Sequence, residues 1–136
     1  MNAISIKIDH VRLDVSDIAV SEGFYSQALE MRRVVCYKVD SRVILQMAPD
    51  GRPPGIELWQ EEGLKPAAHA TQHVAFSVSD VPGLTERVRA LGYQVIKEPF
   101  RIGDETVSFI ADPDGHVIEL NDFRGRGVAE AGSHDG

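Results

Sequence analysis

His10, Glu57, His73 and Glu119 are the residues of this chain whose types and spacing suit chemistry. Two imidazoles and two carboxylates make a mixed nitrogen and oxygen donor set. Their two negative charges match a divalent cation, and Ni, Zn, Co, Mn or Fe(II) would accept such ligands. Six-coordinate geometry would leave two positions for water or substrate. A cation also removes an electrostatic difficulty, because converging carboxylates that lose water without gaining a partner are costly. Taken singly, each residue reads as ordinary: a strand His is most often a surface residue, and a strand Glu is most often solvated. Their places in a repeat are what join them.

The repeat is visible by eye. "HVRLDVSDI", from His10 to Ile18, aligns with "HVAFSVSDV", from His73 to Val81, 63 positions later. "ALEM", from Ala28, aligns with "ALGY", from Ala90, and "IEL" at Ile56 to Leu58 aligns with "IEL" at Ile118 to Leu120, both at an offset of 62. Each half thus begins with a His and ends with a Glu.

The elements that would position these side chains also repeat. Each half opens on a strand, in which Val11, Leu13 and Val15, or Val74, Phe76 and Val78, alternate with more polar neighbours. A Ser-Asp pair follows in both copies and offers a helix cap. The first helix is expected over 18–29, with Val20, Phe24 and Ala28 on one stripe, and the second over 81–91, with Leu84, Val88 and Leu91. Gly92 is a natural helix terminator, whereas Glu30 holds the matching place in the first half. Three β-like segments follow each helix: 33–39, 43–47 and 55–59, then 94–97, 106–110 and 117–121. "DPDG", from Asp112 to Gly115, marks a turn before the last strand. The expected fold class is therefore α+β, two tandem βαβββ modules whose sheets have a helix on one face and curve around a cavity with the other. Alternation assigns the faces. With Val11, Leu13, Val15, Ile56, Leu58, Ile118 and Leu120 toward the helices, His10, Arg12, Asp14, Glu57, His73 and Glu119 turn to the cavity side. Phe24, Trp59 and Phe109 are candidates to wall the cavity, with Phe24 better suited to the core.

A length of 136 residues suits one domain, and the net charge of −7 disfavours nucleic acid and anionic membrane surfaces as partners. Arg12, Arg101, Arg124 and Arg126 could still form a local cationic patch. Cys36 is the only cysteine, which excludes an intrachain disulfide and suits a reducing compartment. No apolar run approaches the roughly 18 residues of a membrane span, and the N-terminus lacks a signal-peptide pattern, so a cytoplasmic location is expected. His69, His116 and His134 fall outside the repeated His and Glu set and read as surface residues, and residues 124–136 read as a flexible tail.

"HVRLDVSDI", "FYSQALEM", "QHVAFSVSDV" and "FIADPDGHVIEL" resemble the vicinal oxygen chelate superfamily, and together they span about residues 10–123, nearly the whole chain. That group includes glyoxalase I, extradiol dioxygenases, methylmalonyl-CoA epimerase, and fosfomycin and bleomycin resistance proteins. The resemblance implies one glyoxalase-like domain over residues 1–123, made of modules 1–65 and 66–123. It implies a divalent metal held by His10, Glu57, His73 and Glu119, since the His, Glu, His, Glu pattern is similar to that of glyoxalase I. It also implies a metal-dependent isomerase or lyase acting through an enediolate. Glu119 would be the main base and Glu57 the alternative, with Arg12 and Trp59 toward the substrate. Glyoxalase I holds glutathione through an Arg and an Asn at the positions matched here by Asp14 and Glu61, so a substrate other than a glutathione adduct is expected. The superfamily's other activities, extradiol ring cleavage and small-molecule sequestration in resistance, are the alternatives. Relatives often pair modules across a homodimer, which would put the metal site at the interface.

Overall fold

The computed structural model describes residues 3–69 and 71–122. The chain divides into two compact units, Met1–Pro66 and Ala67–Gly136. The first contains β1 (His10–Asp14), α1 (Ile18–Gln27), β2 (Arg32–Val39), β3 (Arg42–Ala48) and β4 (Gly55–Glu61). The second contains β5 (His73–Ser77), α2 (Val81–Ala90), β6 (Val95–Ile102), β7 (Glu105–Ala111) and β8 (Val117–Asn121). Both are βαβββ, as the repeat predicts. The sheet orders are β1-β4-β3-β2 and β5-β8-β7-β6. β1 pairs with β4, and β5 with β8, in parallel, while the remaining pairs are antiparallel. The opening strand of each unit therefore lies beside its closing strand, which brings each His next to the Glu of its own half.

Local chemistry sets the boundaries. Asp17 accepts from the backbone N–H groups of Ala19 and Val20, and Asp80 accepts from that of Gly83, so both helices start on a carboxylate cap. Both helices are followed by a residue in the left-handed region, Gly92 at φ +88° and Glu30 at φ +55°. A Cβ makes that conformation costly. Glu30→Gly is expected to stabilise the protein by about 1 kcal/mol, read as a raised melting temperature. An unchanged or lowered melting temperature would contradict strain at this position. "DPDG" forms the expected turn. Asp112 Oδ1 accepts from the backbone N–H groups of Asp114 and His116 at 3.0 and 2.8 Å, and Gly115 takes φ +87°.

In the first unit Phe24, Tyr25 and Ala28 are buried together with Leu45, Met47, Ile56 and Leu58. In the second, Val81 and Val88 are buried with Ile110, Ile118 and Leu120, while Val107 is buried on the other face of the sheet against Phe100 and Phe109. The helix stripes differ from the expected ones. Val20 is 51% exposed, and the buried set is Ser21, Phe24, Tyr25 and Ala28, a stripe turned by one residue. Leu91 is 42% exposed, and Thr85 takes a core position instead. Thr85 is tolerated there because its hydroxyl donates to Val81 O at 2.7 Å and meets Ser108 Oγ at 2.9 Å. Val11 is 46% exposed rather than core, because β1 is a sheet edge and α1 lies over β3 and β4.

Arg33 on β2 ties α1 down by a two-pronged pair with Glu22, with Nη2 to Oε1 at 2.8 Å. That hydrogen bond lowers the Glu22 pKa below 4.5. A carboxyl that titrates lower when folded stabilises fully above its unfolded value and loses that contribution as pH falls through the folded one. Glu22→Gln should accordingly flatten the fall of melting temperature on acidification below about pH 4.5, by a small amount because the pair is exposed. An unaltered acid slope would show that the pair contributes nothing.

Candidate metal centre

In the first unit Ile56 and Leu58 take the helix side, and Glu57 takes the other. His10 Nε2 lies 3.2 Å from Glu57 Oε2. His10 Nδ1 lies 2.7 Å from Asp9 Oδ2 and 3.1 Å from Gln46 Nε2. The carboxylate can only accept, so Nδ1 carries the proton and donates to Asp9, and the Gln46 amide donates instead to Glu57 Oε2 at 3.1 Å. Gln46 is the direct cross-strand partner of Glu57 on β3.

The second unit repeats the arrangement with different supports. His73 Nε2 lies 3.4 Å from Glu119 Oε1. Its Nδ1 donates to the carbonyl of Thr71 at 2.8 Å. Asn121 Nδ2 donates to Glu119 Oε2 at 2.7 Å. The His73 ring meets Phe109 edge-on at 5.5 Å, and Phe109 stacks on Phe100 at 6.2 Å. The cross-strand neighbours of Glu119 are Ala75 and Phe109, whereas those of Glu57 are Arg12 and Gln46.

This pairing fits a cation. With Nδ1 donating to oxygen, each neutral imidazole turns an Nε2 lone pair toward a carboxylate oxygen, and two acceptors repel unless a proton or a cation lies between them. Ligands at about 2.1 Å from one ion are separated by roughly 3.0 Å in octahedral and 3.4 Å in tetrahedral geometry, and the two observed separations, 3.2 and 3.4 Å, fall within that range. An oxygen acceptor behind the ring is also the usual support of a metal-binding His. Among the described residues, no three His, Cys, Asp or Glu side chains gather around one point. Each unit thus supplies a pair of donors.

Of the expected substrate contacts, Arg12 and Trp59 touch each other, with the guanidinium carbon 3.9 Å from the ring centroid. Phe109 packs on His73. Phe24 is wholly buried in the first core and walls nothing. Arg101 donates to Gly103 O at 3.5 Å in its own hairpin. Arg124, Arg126, His134 and the expected tail lie outside the described residues. His69 Nδ1 accepts from the backbone N–H groups of Thr71 and Gln72, a loop role. Gln46, Asn121, Asp9 and the Thr71 carbonyl were not among the sequence candidates for the site. Gln46 sits between Leu45 and Met47, so alternation alone would have turned it toward Glu57. A cavity of about 580 Å³ beside the end of α1 is lined by Ser26, Leu29, Glu30, Met31, Arg32 and Pro49 and includes none of the four ligand candidates. Among the described residues, no helix is long and apolar enough to cross a membrane.

Residues 7–120 match the Glyoxalase/Bleomycin resistance protein/Dioxygenase superfamily, and the chain belongs to that superfamily. Within it, the chain falls with enzymes of the lyase class. It is 31% identical to the lactoylglutathione lyase of Salmonella typhimurium over 134 residues, covering 90% of this chain and 98% of the relative. It is 33% identical to the lactoylglutathione lyase of Haemophilus influenzae, covering 85% and 91%. The trypanothione-dependent glyoxalase I of Leishmania major superposes with a TM-score of 0.79 at 27% identity, covering 96% and 97%. Zea mays glyoxalase I shares the fold with a TM-score of 0.77 at 21% identity, and this chain spans 44% of its length.

Proposed function

We propose that the chain is a metal-dependent lyase of the glyoxalase type, acting on a small substrate with a carbonyl beside a hydroxyl-bearing carbon. His10, Glu57, His73 and Glu119 would hold one divalent cation, Ni, Zn, Co, Mn or Fe(II). Bound there, the cation would polarise the substrate carbonyl and make the adjoining C–H more acidic. The observation that carries this reading is the repeated pair, Nε2 against carboxylate with Nδ1 donating to oxygen, found once in each unit.

Glu119 is the proposed main base. Asn121 holds Oε2, and Oε1, the oxygen that faces His73, would be off the cation when it takes a proton from one carbon and returns it to the next. Phe109, against the His73 ring, and Phe100, stacked on it, line that side. Glu57 is the second carboxylate, steadied by Gln46. The two units would work as one domain over residues 1–123. The ligand set would be completed in a homodimer, with His10 and Glu57 from one copy and His73 and Glu119 from another, in a cytoplasmic setting. The relatives' glutathione adduct is one substrate of the required chemistry, and Asp14 and Glu61 support a different thiol partner here.

The test is metal removal and return. Chelator-treated protein should lose turnover of α-oxo hemithioacetals, and added Ni, Zn or Co should restore it. Turnover unaffected by metal removal would sink the reading, and iron-dependent oxygen uptake with catechols would replace it with ring cleavage.

A further inference from the structure

The ligand face of the first unit continues past Glu57. Along β4, Glu57, Trp59 and Glu61 point to one side, which places Trp59 about 7 Å and Glu61 about 13 Å along the strand from the ligand. Two guanidiniums approach the indole: the Arg12 carbon at 3.9 Å from the ring centroid and the Arg42 carbon at 6.0 Å. Both are already paired on the same face. Arg12 Nε donates to Asp14 Oδ1 at 2.7 Å, and Arg42 Nε stands 2.9 Å from Glu61 Oε1, an ion pair rather than an aligned hydrogen bond. The four charged side chains stay between 33% and 44% exposed, so a ligand can reach them. Among the described residues, the indole Nε1 beneath is buried without an acceptor. Beyond the ligand end, a substrate therefore meets an aromatic ring, two guanidiniums and two carboxylates whose formal charges cancel.

We infer, building on the lyase reading of this site, that Asp14 and Glu61 are specificity-determining residues selecting substrates whose non-reacting arm is uncharged over those whose arm carries a carboxylate. Each guanidinium already holds one anion. A carboxylate arm must either displace Asp14 or Glu61 or lie beside them, where like charges at close range are unfavourable. An uncharged arm meets no such opposition. It lies along the Arg–Trp stack, and its oxygens accept from Nη hydrogens that the two Nε pairings leave unused.

The experiment compares hemithioacetals of methylglyoxal with 2-mercaptoethanol, an uncharged arm, and with mercaptoacetate, a carboxylate arm, on the metal-loaded protein. The wild type is expected to favour the uncharged adduct by about tenfold in kcat/KM, chiefly through KM. D14N/E61Q, altered at solvent-reached positions, is expected to erase that preference and to make KM for the carboxylate adduct rise with salt. An equal or reversed preference in the wild type overturns the inference, and an unchanged preference in D14N/E61Q overturns the assignment to these two residues. Trp59 is the only tryptophan, so its emission reads arm binding without turnover. Titration with 2-(butylthio)ethanol should change that emission at lower concentration than (butylthio)acetate. The reverse order, or no change with either, overturns the inference. If neither adduct is turned over, the lyase reading fails, and the emission titration still decides the arm preference.

Discussion

Glu119→Gln should fold as the wild type does and lose kcat by about 10² to 10⁴ fold, the usual weight of a positioned general base. The substitution keeps the shape of the side chain, and the Asn121 amide can still donate to the remaining oxygen. It removes the charge and the oxygen that would carry the proton. Because Glu119 projects from the face opposite Ile118 and Leu120, the core is untouched, and the melting temperature should stay within a few degrees of the wild type. Glu57→Gln should fall less in kcat if Glu119 is the main base. The check is steady-state turnover beside thermal melting, and full activity in Glu119→Gln would sink its proposed role.

Leu120→Ala, one residue further along the same strand, should do the opposite. Leu120 is fully buried, so truncation removes buried methyl groups and leaves a cavity, costing about 2 to 5 kcal/mol. That is a large share of the roughly 5 to 15 kcal/mol that holds a domain folded. Urea denaturation should show a lowered midpoint. The folded fraction should still bind metal, because the ligand face is intact. Unaltered stability together with lost metal binding would mean that the two faces of β8 have been assigned the wrong way round.

The contrast between these neighbours shows which features the sequence could carry. Strand alternation is a local rule, so the faces of Glu57 and Glu119 were legible once Ile56, Leu58, Ile118 and Leu120 were taken as core. The repeat made the His–Glu pairing legible within each half, since parallel β1–β4 and β5–β8 ladders set opening against closing strand. Which apolar residues are covered was less legible. Val20 and Leu91 are as hydrophobic as their neighbours, yet each helix rests on its sheet through a stripe that includes Ser21 or Thr85. A small side chain lets a helix approach closely, and Thr85 has hydroxyl partners that a hydropathy pattern does not record. The supports of the site were hidden for a different reason. The Asp9 carboxylate, the Thr71 carbonyl, Gln46 and Asn121 orient the donors through hydrogen bonds whose partners are fixed by register and loop path. The charges at Asp14 and Glu61 were visible, and alternation already put Arg12 on the face of Asp14, but the pairing of Arg42 with Glu61 needed the cross-strand register.

The central claim, one cation held jointly by two His–Glu pairs, is tested most directly by calorimetric titration of metal-free protein with Ni or Zn. One cation should bind per set of four donors, and His10→Ala and His73→Ala should each abolish tight binding, since either leaves the set incomplete. Tight binding that survives in both variants, or two cations per set bound independently, would contradict it.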